Sequence, residues 1–384
     1  MTLWSAAVLF SPTVHVRQAA CKKIPRYFNG LERNKPSIQK TRKRFLWHTD
    51  CFKSFGTLKH FSEAALPART FCRIGPLMSE SLTALIENVS QVIRGKDDSI
   101  RLAIISLLAQ GHLLIEDVPG VGKTTLASSL ATSLECSFQR IQFTSDLLPS
   151  DLLGTVIYEP SSQTFRLKSG PIFHHIVLAD EINRSTPRTQ SALLEAMNEG
   201  QVTLDSSTYP LPRPFMVLAT QNPAEFAGTF PLPESQLDRF LMRISLGYPD
   251  REAEREVLTN GHLPRELKPV MRAEEVVALQ QRVEQVKVEQ TLVGYILDIV
   301  EATRNSPAIA LGGSPRATKS LYRAAQASAL LDGYDYVLPR HIKDLAVPVL
   351  AHRLLLKDVG SGPANLRQAE GILRALLEEI VIPL

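Results

Sequence analysis

The stretch from His112 to Thr125, HLLIEDVPGVGKTT, restricts the fold of this chain more than any other. It opens on Leu113-Leu114-Ile115, an apolar run short enough for a buried strand. Pro119, Gly120, Val121 and Gly122 follow as a turn, then Lys123, Thr124 and Thr125, and an Ala/Leu-rich helical pattern continues through Leu134. A strand, a glycine turn, Gly-Lys-Thr and a helix, in that order, form a phosphate-cradling loop. The glycines let the backbone curl until several N–H groups converge on one anion, and the helix N-terminus adds positive dipole at the same place. Lys123 can reach β- and γ-phosphates, and the Thr124 hydroxyl can ligate Mg²⁺. The strict pattern has glycine five residues before Gly122, whereas this chain has Asp117.

Charge is distributed unevenly. The first 77 residues hold 14 Lys and Arg against 3 Asp and Glu, leaving 29 basic and 36 acidic residues in the remainder. The body is therefore mildly acidic, which argues against nonspecific nucleic-acid binding. Residues 1–77 also contain Cys21, Cys51, Cys72, Trp4 and Trp47, and show no sustained helical or strand period. They are read as a basic, disordered extension or as a start assigned too early, with Met78 the true first residue. A transit peptide or a basic nucleic-acid arm are the other readings. The body keeps only Cys136, which suits a reducing compartment, and the expected location is cytoplasmic. No run of about 18 apolar residues exists to span a membrane.

Two amphipathic helices, Leu82–Ile93 and Ile100–Ala109, are expected ahead of the first strand, and Phe138–Phe143 alternates as a strand. Residues 144–171 read as loop-rich. The apolar run Ile172–Ala179 then ends in Asp180-Glu181. At a strand end beside a phosphate loop, Asp180 can hold Mg²⁺ through its water shell, while Glu181 can polarise the attacking water. Thr186 and Pro187 begin a helix that Gly200 ends, residues 201–211 form a hairpin, and the apolar run Phe215–Thr220 delivers Gln221-Asn222. An amide at that strand tip, Asn222, can orient the lytic water. Glu234–Phe240 makes a short helix bearing Arg239.

After Pro249 the pattern is wholly helical, with segments at 251–258, 273–286, 292–305, 316–331, 339–354 and 366–380. The linker 259–269 marks a boundary, giving an expected nucleotide domain over 78–258 and an all-helical domain over 259–384. Arg316 falls in the first turn of its helix, where a cation opposes the dipole, a position that hints at an anionic partner.

The segments EDVPGVGKTT, IVLADEINRS, PRTQSALLEAMNEGQVT, VLATQNP, PLPESQLDRFLM and GGSPRATKSL resemble, in order, those of the MoxR-type AAA+ ATPases. The resemblance runs from about Val92 to the C-terminus, and Asp117 is typical of that family. It implies an α/β fold: an αβα nucleotide domain with a five-stranded parallel sheet, followed by a helical lid. It implies ATP and Mg²⁺ as ligands, with Lys123 and Thr124 as Walker A, Asp180 and Glu181 as Walker B, and Asn222 as sensor 1. Arg239 matches the arginine finger that reaches the neighbouring subunit, and Arg316 matches sensor 2, which touches the γ-phosphate from the lid. Val92, Ile93 and Gly95 match the segment flanking adenine. The turns at 146–171 and the hairpin at 201–211 resemble the insertions of this clade.

Such proteins form rings, usually hexamers, and remodel or mature protein clients, often with a von Willebrand factor A-domain partner. Metal or cofactor insertion into a client is one such role. A chelatase-type motor subunit and a DNA-associated motor are the alternatives. The acidic body and the lack of a basic module after the lid speak against nucleic acid.

Overall fold

The structure, a computed structural model, describes residues 76–205, 207–222, 229–249, 251–260, 267–357 and 363–383. The readings placed on residues 1–75 and on the centre of the linker, 261–266, lie outside them. In chain order the elements are α1 (Pro76–Ser90), α2 (Asp97–Leu108), β1 (Leu113–Glu116), α3 (Lys123–Ser133), β2 (Phe138–Gln142) and α4 (Pro149–Leu153). Then come β3 (Gly154–Glu159), β4 (Thr164–Ser169), β5 (Ile176–Asp180), α5 (Pro187–Glu199), β6 (Gln201–Leu204), β7 (Ser207–Pro210) and β8 (Met216–Gln221). The C-terminal half holds α6 (Glu234–Leu237), β9 (Met242–Ile244), α7 (Arg251–Asn260), α8 (Ala273–Val283) and α9 (Gln290–Asn305). The chain closes with β10 (Ile309–Leu311), α10 (Pro315–Leu331), α11 (Pro339–Leu350), β11 (Leu355–Leu356) and α12 (Pro363–Glu379).

Five strands pair in parallel in the order β2-β5-β8-β1-β9. Successive side chains on a strand point to opposite faces, so each central strand feeds two cores. Leu113 and Ile115 of β1 join Ile176, Leu178, Met216 and Leu218 on the face packed by α1–α3, and that core continues without a break into α8–α12. Leu114, Val177, Ala179, Val217 and Ala219 face the other way, onto Leu193, Leu194 and Met197 of α5. The result is the expected α/β nucleotide-binding architecture with a helical C-terminal part. All strand ends that follow the chain direction lie on one edge of the sheet, where β1 runs into the phosphate loop.

The helix ends follow local chemistry. Thr186 caps α5 by accepting the Thr189 N–H, with Pro187 at the first helical position, and Gly200 closes the helix in the left-handed region. Ser314 caps α10 in the same way through the Ala317 N–H.

Two expectations need correction. The 144–171 stretch is not mainly loop: it holds α4 and the antiparallel hairpin β3–β4, paired from Gly154↔Ser169 to Glu159↔Thr164. Both of its faces are largely solvated, so its strands lack the apolar alternation that a half-buried strand carries. Tyr158 and Phe165, 5.3 Å apart between ring centroids, form a cross-strand aromatic pair. The C-terminal part is also not wholly helical, because β10 and β11 pair antiparallel. These strands are too short for sequence periodicity to register.

Candidate active site

Gly120 (φ +84°) and Gly122 (φ +95°) both sit in the left-handed region, and Gly122 is the N-cap of α3. A β-carbon on Gly120 would meet nothing within 4 Å, so the turn is open on that side. Pro119, Gly120, Thr124 and Thr125 are exposed, Val121, Gly122 and Lys123 partly so. No side chain caps α3, leaving its first N–H groups for a ligand. This is the cradle a polyphosphate requires. Lys123 Nζ donates to the Asp117 carbonyl at 2.8 Å. Burial holds the Lys123 ammonium below its ordinary pKa, opposed by the charges of Asp180, Asp117 and Glu181.

Asp117, the departure from the strict motif, has a structural task. Its Oδ2 accepts the N–H groups of Leu246 and Gly247 at 2.7 and 2.6 Å and the Ser245 hydroxyl at 3.0 Å. The carboxylate thus fastens the start of the loop to the segment leaving β9. Ile93 is buried with its Cδ1 3.7 Å from where a Gly122 β-carbon would stand, so the Val92–Gly95 turn lies against the phosphate loop.

The order β5-β8-β1 brings Asp180, Glu181 and Asn222 to the same edge as Lys123. Asp117 N–H donates to the Gln221 carbonyl, placing the β8 tip and the buried Asn222 next to the loop. Asp180 Oδ1 accepts from Thr220 Oγ1 at 2.6 Å, and its Oδ2 pairs with Arg140 at 2.6 Å. Glu181 has a left-handed backbone (φ +58°), uncommon for a residue with a side chain. Its N–H is held by Thr220 Oγ1 at 2.9 Å, and its carboxylate accepts from Gln142 Nε2 at 2.7 Å and pairs with Arg184 at 3.1 Å. Arg140 Nη2 also donates to Gln142 Oε1 at 2.7 Å, so one chain of hydrogen bonds joins the two carboxylates.

Arg239 and Arg316 lie at the other end of the sheet. Leu241 N–H donates to the His112 carbonyl, just before β1, and β9 begins one residue later. Arg239 Nη1 donates to the Leu194 carbonyl at 2.9 Å on α5. Arg316, exposed in the first turn of α10, donates to Asn198 Oδ1 near the C-terminal end of the same helix. His112 Nε2 bonds the neighbouring Met197 carbonyl. Beside the two arginines is a cleft of about 320 Å³ lined by Glu195, Asn198, Glu199, Gln236 and Arg239. The four residues of β1, a rise of roughly 13 Å, separate this edge from the phosphate-loop edge. Arg316 thus bonds Asn198 of α5 rather than facing the phosphate loop of its own chain.

Comparison with known proteins gives the family. The family model described as "ATPase family associated with various cellular activities (AAA)" matches residues 112–242, and the AAA lid domain matches 301–372. Chaperone MoxR1 of Mycobacterium tuberculosis is 38% identical over 79% of this chain and 82% of its own length. The chain belongs to the MoxR family of AAA+ ATPases. Protein MoxR of Paracoccus denitrificans is 32% identical over 75% of this chain and 91% of its own length. Protein YeaC of Bacillus subtilis, of unassigned function, is 47% identical over 78% and 93%. The crystal structure described as that of "a putative ATPase from Cytophaga hutchinsonii" superposes with a TM-score of 0.73 at 39% identity, covering 80% of this chain and 96% of that one. Like its family, this MoxR-family chain is an ATPase with an α/β P-loop fold and a helical lid.

Among the described residues, no group of three or more acidic, histidine or cysteine side chains is placed to hold a metal ion alone. Mg²⁺ bound with a nucleotide is commonly held by one or two protein oxygens together with the substrate phosphates. Thr124 and Asp180 are the oxygens this MoxR-family site offers. No helix among the described residues is long and apolar enough to cross a membrane.

Sequence reasoning missed Thr220, Gln142 and Arg140. Thr220 is fully buried in an otherwise apolar strand, which was the available signal. Arg140 and Gln142 carry no local signal, because only the β2–β5 pairing brings them to the acidic pair.

Proposed function

We propose that this chain is the subunit of a homo-oligomeric ring, a hexamer, in which each ATP site is completed by the neighbouring subunit, and that the ring remodels or matures a protein client. One observation carries this reading. Lys123, Thr124, Asp180, Glu181 and Asn222 share one edge of the sheet, while Arg239 and Arg316 share the opposite edge. Each subunit thus owns a nearly complete site on one edge and the cations for another site elsewhere.

In this reading the 120–125 loop and Lys123 bind the β- and γ-phosphates, and Ile93, with Val92 and Gly95, flanks the adenine. Thr124 and Asp180 hold Mg²⁺, which supplies charge neutralisation between the phosphates when bound. Glu181 takes the proton of the attacking water and Asn222 orients that water. Arg239 and Arg316 of the adjacent subunit stabilise the charge on the transferring phosphoryl group. The nucleotide domain, 78–258, and the lid, 259–384, share one apolar core. The chaperone name of the Mycobacterium relative supports a protein client. Metal or cofactor insertion into that client, with a von Willebrand factor A-domain partner, rests on the family resemblance alone.

Mixing two inactive proteins tests the reading. Arg239→Ala subunits keep a complete Lys123–Asp180–Glu181 site, and Lys123→Ala subunits keep the arginines. Arg239→Ala alone should fall by a factor on the order of 10³ in turnover, the low end for a lost arginine finger, and Lys123→Ala alone should be inactive because it does not bind ATP. Mixed rings should regain part of the activity. Mixed rings that stay inactive, or an Arg239→Ala protein with normal turnover, would exclude a shared site.

A further inference from the structure

Arg239 and Arg316 come from distant parts of the chain, and one buried side chain joins the segments that carry them. Arg353 closes the 3-10 turn that follows α11, and its side chain is 2% exposed. Its Nη1 donates to Asp238 Oδ1 at 2.9 Å. Its Nη2 donates to the Phe240 and Leu241 carbonyls at 2.6 and 3.1 Å and to Ser320 Oγ at 3.1 Å. Asp238 is the residue before Arg239. Both Asp238 oxygens lie 3.0 Å from Ser314 Oγ, which also caps α10 by accepting the Ala317 N–H at 3.1 Å. Arg316 is the second residue of α10.

Buried Arg353 is pulled down to about 10 by desolvation, with Asp238 opposing and the Arg316 charge adding to the lowering. It therefore remains a cation at neutral pH. Asp238 is the acid that pairs with Arg353, and it also accepts the Ser314 hydroxyl.

We infer that Arg353 is a positioning residue for the arginine pair: through Asp238 and Ser314 it locks the Arg239 segment to the N-terminus of α10, so that both arginines are offered to the neighbouring subunit as one rigid unit. This rests on the shared-site reading above. The physical reason is preorganisation. A guanidinium is a planar fork with donors in fixed directions, so it can hold a carboxylate, two carbonyls and a hydroxyl at once. Cations already fixed where charge develops need no reorganisation as the reaction proceeds. A lysine at 353 would keep the charge and lose the fork.

The test uses the mixed ring, with Lys123→Ala subunits donating arginines to Arg239→Ala subunits that own the nucleotide. Arg353→Lys placed in the donor should lower the regained kcat by about tenfold, the effect of one misplaced transition-state contact, with little change in KM for ATP. The same substitution placed in the acceptor should leave the regained kcat within about twofold, because the acceptor's own arginines serve no live site. Asp238→Asn, which keeps shape and loses the charge, repeats the comparison if the lysine variant does not assemble. Equal loss in donor and acceptor, or no loss in either, overturns the inference while leaving the shared site intact. No regained activity in the parent mixture, with mixed rings confirmed by cross-linking, overturns the shared site and this inference together.

Discussion

Thr220 Oγ1 donates to Asp180 Oδ1 at 2.6 Å and accepts the Glu181 N–H at 2.9 Å, so one buried hydroxyl from β8 holds both the last residue of β5 and the acidic residue that follows it. It does so at the point where the Glu181 backbone enters the left-handed region. Thr220→Val keeps the shape and removes the hydroxyl, leaving a buried N–H unpaired. Such a group costs about 1–3 kcal/mol. The expected result is turnover lowered about tenfold with nucleotide affinity changed only a few-fold, read by steady-state kinetics and nucleotide titration. Unchanged kcat would mean that the strand pairing alone sets the geometry of Asp180 and Glu181.

Lys123 is the cation of the phosphate loop, half-buried and anchored to the Asp117 carbonyl. Lys123→Ala should abolish ATP binding, because the main positive charge facing the β- and γ-phosphates is lost. Titration with a fluorescent nucleotide measures this. Undiminished affinity would remove Lys123 from the site.

Glu181→Gln preserves size and a hydrogen-bonding group but cannot take a proton. ATP should bind as before while turnover drops by roughly 10²-fold or more, the scale for losing a general base. Near-normal turnover would assign water activation elsewhere. The same variant, trapped with ATP, is the bait for isolating a client.

His112 supplies a pH-dependent stability. Its Nδ1 accepts the Val217 N–H at 3.0 Å and its Nε2 lies 2.9 Å from the Met197 carbonyl, so the ring is neutral with its proton on Nε2. Burial lowers its pKa from 6.5 to about 4, and His352 is lowered in the same direction. The folded state therefore binds the proton less readily than the unfolded state. Stability is greatest above pH 6.5 and is lost as pH falls from 6.5 towards 4. From pH 7 to pH 5 the His112 contribution is a loss of about 2 kcal/mol. Urea midpoints at the two pH values should show a shallower loss in His112→Gln than in the unmodified protein. Equal slopes would mean that His112 is charged in the fold.

What was legible in the sequence was local. The phosphate loop, the Asp180-Glu181 strand end, the Thr186 helix start and the Gly200 stop each depend on neighbouring residues, whose backbone conformations a short pattern specifies. The long apolar runs were legible as buried strands for the same reason, since strands covered on both faces read as continuous hydrophobic segments, while their pairing into a parallel sheet was implied by the family resemblance. The hairpin β3–β4 was missed because its strands are solvated on both sides and carry no period.

Position across the molecule was decided by the tertiary structure. The strand order β2-β5-β8-β1-β9 puts Arg140 and Gln142 beside the acidic pair, although they lie about 40 residues before it. The same packing turns α10 so that Arg316 meets Asn198 rather than its own phosphate loop. Arg353 lay within a stretch read as one helix, and the burial of its charge is visible only once Asp238 and the carbonyls of Phe240 and Leu241 converge on it. The sequence by itself determined which groups could bind and hydrolyse a nucleotide, because those groups are set by adjacent residues. Which edge of the sheet each group occupies was decided only by long-range packing, since strand order and helix orientation follow from burying both faces of the sheet and not from any local pattern.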